Sequence, residues 1–471
     1  MKKERIFWMS LLIGVTVSFS SLYFANRLSS DNDDANAYRY ARIFEKTYNI
    51  IRDYYVDSNK AKTKKLYFGA IEGLLKSLGD EHTSFLSPKI WKELHESLSG
   101  EFEGLGIVIG LRDNYLTVIS PIEGSPAFKK GIMAGDVIYK IEGKSTKGIT
   151  LDEAVTKLRG RKGTPVTVTI VRKTEPKPFK VTITRDVIHV DSVKYTMINS
   201  EIGYARIIQF QKNVDVDLRN AIKKLYKRGM KKLILDVRNN PGGYLSKAVN
   251  VVDLFLSKGK IVSSKGRVSS SNEEYYAHSF NTISRDTPLI VLVNGASASA
   301  SEILAGAIQD TRRGVILGEK SYGKASVQNV VQLSSGDEAF GLKITTALYY
   351  TPANRLIHKK GIKPDIVVKL PEIEMKEILA RRIILDKKLI EKFLRRFRVP
   401  SELQIRAFHK SLAKRNLPVT LRLLRKMIYD IRHKNAIPPI FDLSWDIQLT
   451  EAIKTFRTKP GLFKREQKAF E

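Results

Sequence analysis

Between Val190 and Leu370 short apolar runs alternate with amphipathic stretches, and this alternation constrains the fold more than any other feature of the chain. "KKLILDV", "PLIVLVN", "GVILGE" and "VQNVVQL" have the length and β-branched content of strands. "DLRNAIKKLYKRG", "LSKAVNVVDLFLSKG" and "ASEILAGAIQD" carry apolar residues at three- and four-residue spacings and read as helices. Strands interleaved with helices predict α/β organisation around a buried sheet. The flanks differ. Tyr38 to Leu98 is helical in pattern, whereas residues 99–186 show short alternating runs punctuated by Gly, Pro, Asn and Asp, a small strand-rich domain. Within it "TLDEAVTKLRG" reads as a helix capped by Thr150. After Pro371 the chain is helical again and basic, with 24 Lys/Arg against 12 Asp/Glu. The expected organisation is an α+β multidomain chain: an N-terminal segment (1–30), a helical region (38–98), the strand-rich domain (99–186), the α/β core (187–370) and a basic helical extension (371–471).

The N-terminal segment bears on location. "MKKER" is followed by 20 uncharged residues, Ile6 to Ala25. At ~1.5 Å per residue that run just spans a bilayer core of roughly 30 Å. The basic flank would stay in the cytoplasm and the acidic "DNDDANA" would be exported, predicting a single-pass anchor in the cytoplasmic membrane. A cleavable signal peptide is the rival, with "ANA" at Ala35–Ala37 in small-x-small form. A formal charge of +32 favours anionic surroundings. Cysteine is absent, which excludes a thiol nucleophile, cysteine-ligated metals and disulfides.

In the strand-rich domain, "GEFEGLGIVIG" places Gly104, Leu105, Gly106 and Ile107 just before a strand. Glycines there let backbone N–H groups converge on a carboxylate, and the strand edge can accept an extended peptide. With "GSPAFKKGIMAGDVI" and "LDEAVTKLRG" downstream, the segment resembles a PDZ domain. The resemblance implies that Gly104 to Ile107 hold the terminal carboxylate of a protein or peptide, with the helix as the other wall of the groove.

"VNGASASASEILAG" puts Ser297, Ser299 and Ser301 at alternate positions between a buried strand and a helix. Free N–H groups at a helix N-terminus favour the negative charge of a nucleophile or oxyanion. Read alone, Ser299-x-x-Glu302 is equally a capping box. No histidine lies between His278 and His358, so a serine nucleophile needs another base. "GEKSYGKASVQ" offers Lys324 between small neighbours, with Gln328 four residues on, whereas Lys320 follows Glu319 and reads as a surface residue. No H-E-x-x-H or other metal spacing occurs, and no phosphate loop; no metal or cofactor is expected.

Together these two motifs, with "SLGDEHTSFLSP", "LDVRNNPGG" and "LKITTALYYTPANRLIHKKGIKPDIVV", resemble the carboxyl-terminal processing peptidases, or tail-specific proteases. The resemblance covers roughly Tyr38 to Leu370 and implies a crotonase- and Clp-protease-like core carrying an inserted PDZ domain. It implies Ser299 as nucleophile, Lys324 as base and Gln328 as the accompanying amide. Ala300 N–H would be one oxyanion donor, and Gly242 or Gly243 the other. One departure is Ala325, where the family usually has glycine. The implied protein is a serine endopeptidase of exported substrates, with its catalytic part outside the cytoplasmic membrane and a homo-oligomer admissible. A catalytically silent PDZ scaffold at the membrane is the alternative.

Overall fold

The computed structural model describes residues 32–112, 114–122, 124–172, 174–335, 338–371, 374–433 and 439–463. The chain divides into two compact units, 1–85 and 86–471. In the first, α1 (Asn32–Tyr54) and α2 (Thr63–Lys76) are joined by aromatic contacts. Tyr48 and Tyr67 lie 4.8 Å apart between ring centroids, and the Tyr48 hydroxyl is 2.8 Å from Thr63 Oγ1. Helix α1 starts six residues before the expected Tyr38, within the acidic "DNDDANA", where carboxylates favour a helix N-terminus. The expected single-pass anchor needs correction. No helix among the described residues is long and apolar enough to cross a membrane, and Ile6–Ala25 lies outside them. A single-pass location in the cytoplasmic membrane is therefore withdrawn.

The second unit begins with α3 (Pro88–Ser99), capped by Ser87 and ended by Gly100 in the left-handed region (φ 74°). The strand-rich domain follows, running β1 (Glu101–Gly104), β2 (Ile107–Arg112), β3 (Tyr115–Pro121), α4 (Pro126–Lys129) and β4 (Val137–Ile141). It continues through α5 (Leu151–Leu158), β5 (Pro165–Val171), β6 (Phe179–Thr184) and β7 (Asp186–His189). The main sheet has the order β2-β3-β4-β5-β6, antiparallel throughout, so β2 is an edge strand. Alternate residues Leu116, Val118, Ile138, Val166, Val168, Ile170 and Ile183 point inward onto Ala154 and Leu158 of α5. The two chain connections of the domain pair with each other as β1 and β7, Glu101 opposite His189.

The core runs β8 (Val193–Met197), β9 (Ile202–Ile207), α6 (Val214–Lys227), β10 (Lys232–Asp236), α7 (Leu245–Asp253), β11 (Lys260–Gly266) and β12 (Glu273–Tyr276). After these come β13 (Leu289–Val293), α8 (Ala300–Asp310), β14 (Val315–Gly318), β15 (Ser326–Ser335), β16 (Glu338–Tyr350) and β17 (Ile366–Val367). One sheet has the order β8-β9-β10-β13-β14-β17, with β8–β9 antiparallel and the rest parallel. "VQNVVQL" is a strand, as its composition predicts, but it belongs to the long antiparallel hairpin β15–β16, which joins β11 through β16.

Strands of the main sheet are apolar on both faces, and both faces are covered. Leu233, Leu235, Val291, Val293 and Ile316 pack against α6, α7 and α8. Their sequence neighbours Ile234, Ile290, Leu292 and Leu317 face the other way, onto Leu449, Ala452 and Phe456. That second cover, α13 (Ile447–Thr458), comes from the basic extension. The remaining extension helices, α9 (Met375–Asp386), α10 (Leu389–Arg396), α11 (Glu402–Ala413) and α12 (Leu421–Arg432), bury a cluster of their own around Ile384, Ile390, Leu412 and Leu424.

Candidate active site

Of the three serines, the structure gives two a bracing job. Ser297 is fully buried and donates to the carbonyl of Val237 at 2.7 Å. Ser301, equally buried, donates to the carbonyl of Asn240 at 3.0 Å. Both pin the turn between β13 and α8 to the loop after β10. Ser299 sits between them, half-buried, with φ 55° and ψ −116°. A serine with positive φ is strained, and such strain is kept where the surroundings over-determine the turn. At the start of α8 the Glu302 N–H goes to the Ser299 carbonyl at 2.7 Å, and the Glu302 carboxylate takes the Ser299 N–H in return.

Glu302, read from the sequence as half of a capping box, does more than cap. Its carboxylate is fully buried and accepts four hydrogen bonds. One oxygen takes the Ser299 N–H at 2.9 Å and the Lys324 N–H at 2.8 Å. The other takes the Ser321 hydroxyl at 2.6 Å and the Gly323 N–H at 2.7 Å. One buried anion thus fixes the serine turn and the lysine loop to each other, and charge-assisted bonds of this kind are strong. The buried Tyr349 hydroxyl makes a second tie, 3.0 Å from the Ser299 carbonyl and 2.6 Å from that of Lys324. Burial, reinforced by the charge of Glu302, holds its ionisation well above the usual tyrosine range, so it stays a donor. Neither group was legible as part of the site from spacing alone.

Lys324 lies half-buried in the loop 319–325 between β14 and β15. Ala325 is fully buried in the main core cluster, which explains how its extra methyl is absorbed. Gln328 stands in β15 beside an irregularity in the pairing with β16. Its amide nitrogen donates to Ser326 Oγ at 2.7 Å and the Ser326 carbonyl at 3.1 Å, so it is anchored on its own strand.

The second glycine motif forms the turn facing Ser299. A Cβ on Gly242 would lie 2.8 Å from Ser299 Cβ and 3.0 Å from the Ala300 nitrogen. A Cβ on Gly243 would meet the Phe210 carbonyl oxygen at 2.2 Å. Both also have positive φ, 104° and 147°. The sequence leaves open which amide faces the reacting carbonyl. In the structure the Gly242 N–H is taken by Asn240 Oδ1 at 2.9 Å, whereas those of Gly243 and Ala300 meet no described acceptor. Asn240 also donates through Nδ2 to the Ile207 carbonyl at 2.9 Å, and its own carbonyl accepts Ala298 N–H at 3.0 Å.

In the strand-rich domain, Leu105 is buried and Gly106 turns with φ 74°, where a Cβ would sit 2.3 Å from Ser125 Cβ. The Leu105 carbonyl accepts Ala127 N–H at 3.0 Å, and that of Gly106 accepts Ile122 N–H at 2.8 Å. Ser125 Oγ adds a bond to the Gly106 carbonyl at 3.1 Å. With the carbonyls drawn inward, the Leu105 and Gly106 amides meet no described acceptor. Ile107 faces Pro121 in the ladder, and the Ile122–Gly106 bond makes this a non-hydrogen-bonded position, so Ile107 N–H points to the open edge of β2. Helix α5 lies alongside, opened by Thr150 in a capping box with Glu153.

Residues 201–368 match Peptidase family S41 and residues 93–171 match the PDZ domain. The chain is 43% identical over 362 residues to the carboxy-terminal-processing protease of Bartonella bacilliformis, covering 76% of this chain and 81% of that one. It is 35% identical over 385 residues to a probable CtpA-like serine protease of Staphylococcus aureus, covering 80% and 75%. Among solved structures, the photosystem II D1 C-terminal processing protease is 30% identical, with a TM-score of 0.41, over 70% of this chain and 92% of that one. Such identity across four fifths of a relative settles the family: this chain belongs to peptidase family S41, as a serine-type carboxy-terminal-processing protease with an inserted PDZ domain.

Proposed function

We propose that the protein is an endopeptidase using a Ser299–Lys324 dyad, and that its PDZ domain captures the free C-terminus of the substrate. The observation that carries the dyad is the shared carboxylate: Ser299 and Lys324 donate their backbone N–H groups to one oxygen of Glu302. Neutral Lys324 takes the hydroxyl proton as Ser299 Oγ attacks the scissile carbonyl. The ammonium formed then gives a proton to the leaving amine, and water resolves the acyl-enzyme with Lys324 as base again. The amides of Ala300 and Gly243 hold the oxyanion, and Gly242 permits the close approach. Gln328, anchored through its nitrogen, offers its carbonyl oxygen to orient the lysine. The substrate carboxylate sits on the Leu105, Gly106 and Ile107 amides and the preceding residues extend along the β2 edge.

The test is covalent labelling by a fluorophosphonate together with hydrolysis of an unstructured peptide. Ser299→Ala abolishes both. Lys324→Arg abolishes hydrolysis as completely as Lys324→Ala, because a guanidinium is never neutral near pH 7. Wild-type activity rises with pH as the lysine loses its proton. Hydrolysis surviving in Ser299→Ala, or wild-type rates in Lys324→Arg, would overturn the dyad.

A further inference from the structure

The basic extension reaches the site through one arginine. Arg238 immediately follows Val237, the residue after β10, and starts the turn that carries Gly242 and Gly243. Its guanidinium is 13% exposed and lies between two carboxylates. Asp236 of β10, 1% exposed, accepts from Nη2 at 2.6 Å and Nε at 3.0 Å. Asp446, from the extension, accepts from Nη1 at 2.7 Å and Nη2 at 2.6 Å. Gln448 Oε1 takes a further bond from Nη1 at 3.1 Å, while its nitrogen donates to the Val368 carbonyl at 2.8 Å. The Tyr204 hydroxyl completes the network on Asp236 at 2.7 Å. Burial alone would raise the Asp446 pKa, but the bonds and charge of Arg238 outweigh it and hold the carboxyl below its ordinary range.

The clamp is stiff at both ends. Asp446 caps α13 by accepting Leu449 N–H at 2.9 Å, and α13 is buried against the main sheet through Leu449, Ala452 and Phe456. Beyond Arg238 the turn has little slack. Asn239 and Asn294 exchange two bonds of 2.9 Å, and Asn240 holds Ile207, Gly242, Ala298 and Ser301. Asn239 itself has φ 59°. From Arg238 these bonds run through Asn239 and Asn240 to Gly242, Ala298 and Ser301, the chain neighbours of Gly243, Ser299 and Ala300.

We propose that Asp446 and Gln448 of the C-terminal extension are positioning residues for catalysis: through Arg238 they set the turn that presents the Gly243 amide to the oxyanion. This rests on the reading of Ser299 and Gly243 given above. A planar guanidinium gripped from two sides fixes orientation as well as distance. Removing Asp446 leaves a buried cation facing one carboxylate instead of two, and the guanidinium loses one of the two groups that fix its orientation at the start of the turn.

The experiment uses the full chain with Asp446→Ala, Asp446→Asn, Gln448→Ala and, as a control, Ser299→Ala. Misplacement of an oxyanion donor by an ångström lowers kcat about 10- to 100-fold. We expect that loss in Asp446→Ala, a smaller one in Asp446→Asn, and the smallest in Gln448→Ala. KM and the Kd of a PDZ-binding peptide stay at wild-type values. A peptide boronate, which forms a tetrahedral adduct on the serine, loses affinity in parallel with kcat, a readout that a purely structural role would not move. Folding is checked by thermal melting, and where Asp446→Ala does not fold, Asp446→Asn and Gln448→Ala carry the decision. Folded variants with wild-type kcat overturn the inference, as does lost kcat with unchanged boronate affinity. Hydrolysis retained by Ser299→Ala is a separate result that overturns the underlying site.

Discussion

Two turns in this molecule carry backbone amides that meet no described acceptor, and they are built in opposite ways. The turn at Asn240–Gly243 is braced on every side: by Asn240, by the Phe210 backbone, by Ser297 and Ser301, and by the Arg238 clamp. The loop at Leu105–Ile107 is held only from behind, through its carbonyls and Ser125, and opens onto the free edge of β2. Under the proposed function, the difference matches what each turn would bind. A substrate carboxylate is charged before and after binding, so a loop can close on it. An oxyanion exists only in the transition state, and its donors must be in place beforehand. Rigidity at one turn should therefore act on kcat, and access at the other on KM.

The largest effect tests the braced turn. In Gly242→Ala the new methyl falls 2.8 Å from Ser299 Cβ and 2.9 Å from the Ala298 carbonyl oxygen, with φ 104° strained for alanine. Backbone must move, the Ala300 and Gly243 amides separate, and kcat falls about 10²–10³-fold, as when one oxyanion donor is lost. Binding of a C-terminal peptide by the PDZ domain, measured by fluorescence anisotropy, stays unchanged. Parallel loss of both would erase the distinction between the two turns.

The open loop is tested from the ligand side. Amidating the C-terminus of a peptide substrate removes the charge that the Leu105, Gly106 and Ile107 amides would meet. A charge-assisted bond set is worth ~1.5–3 kcal/mol over a neutral one, so kcat/KM falls roughly 10- to 100-fold. The loss lies in KM. Gly106→Ala should remove most of this discrimination, because its methyl lands 2.3 Å from Ser125 Cβ and its φ of 74° strains alanine by ~1–2 kcal/mol. In that variant acid and amide peptides approach equal, low kcat/KM. Full discrimination persisting in Gly106→Ala would mean that the terminus is read elsewhere.

The two turns were also unequally legible in the sequence. The 104–107 loop is local: glycine spacing and the strand that follows are enough to expose its amides, and the structure keeps them together. The serine turn was legible as a strand-to-helix connection because "PLIVLVN" and "ASEILAGAIQD" differ in period. What the sequence hid is what comes from afar. Glu302 reads as a local cap, since nothing in its spacing reveals that residues 321–324 return to it. Tyr349 sits on an alternating strand like any core aromatic. Asp446 lies more than 200 residues from Arg238, in a basic helical extension whose role the sequence leaves open. There, α13 supplies the second cover that a sheet apolar on both faces requires. Local pattern gave the elements, whereas long-range hydrogen bonds joined them into a site.

The smallest effect separates a working group from a brace within one helix start. Ser299 and Ser301 are two residues apart, and both become alanine with the loss of one hydroxyl. Read from the sequence as an N-cap, Ser299 should lose stability on truncation. In the structure the Glu302 N–H is met by the Ser299 backbone carbonyl at 2.7 Å, a bond that truncation leaves in place, so Ser299→Ala shifts stability by less than ~0.5 kcal/mol. Ser301 is fully buried and donates to the Asn240 carbonyl. That carbonyl still accepts Ala298 N–H in Ser301→Ala, so no buried acceptor is orphaned and the cost stays near ~1 kcal/mol. Urea unfolding at fixed pH measures both, and peptide hydrolysis completes the pair. Ser299→Ala keeps its midpoint and loses activity, and Ser301→Ala loses midpoint and keeps much of its activity. The reverse pattern would make Ser299 the brace and move the nucleophile elsewhere along the run.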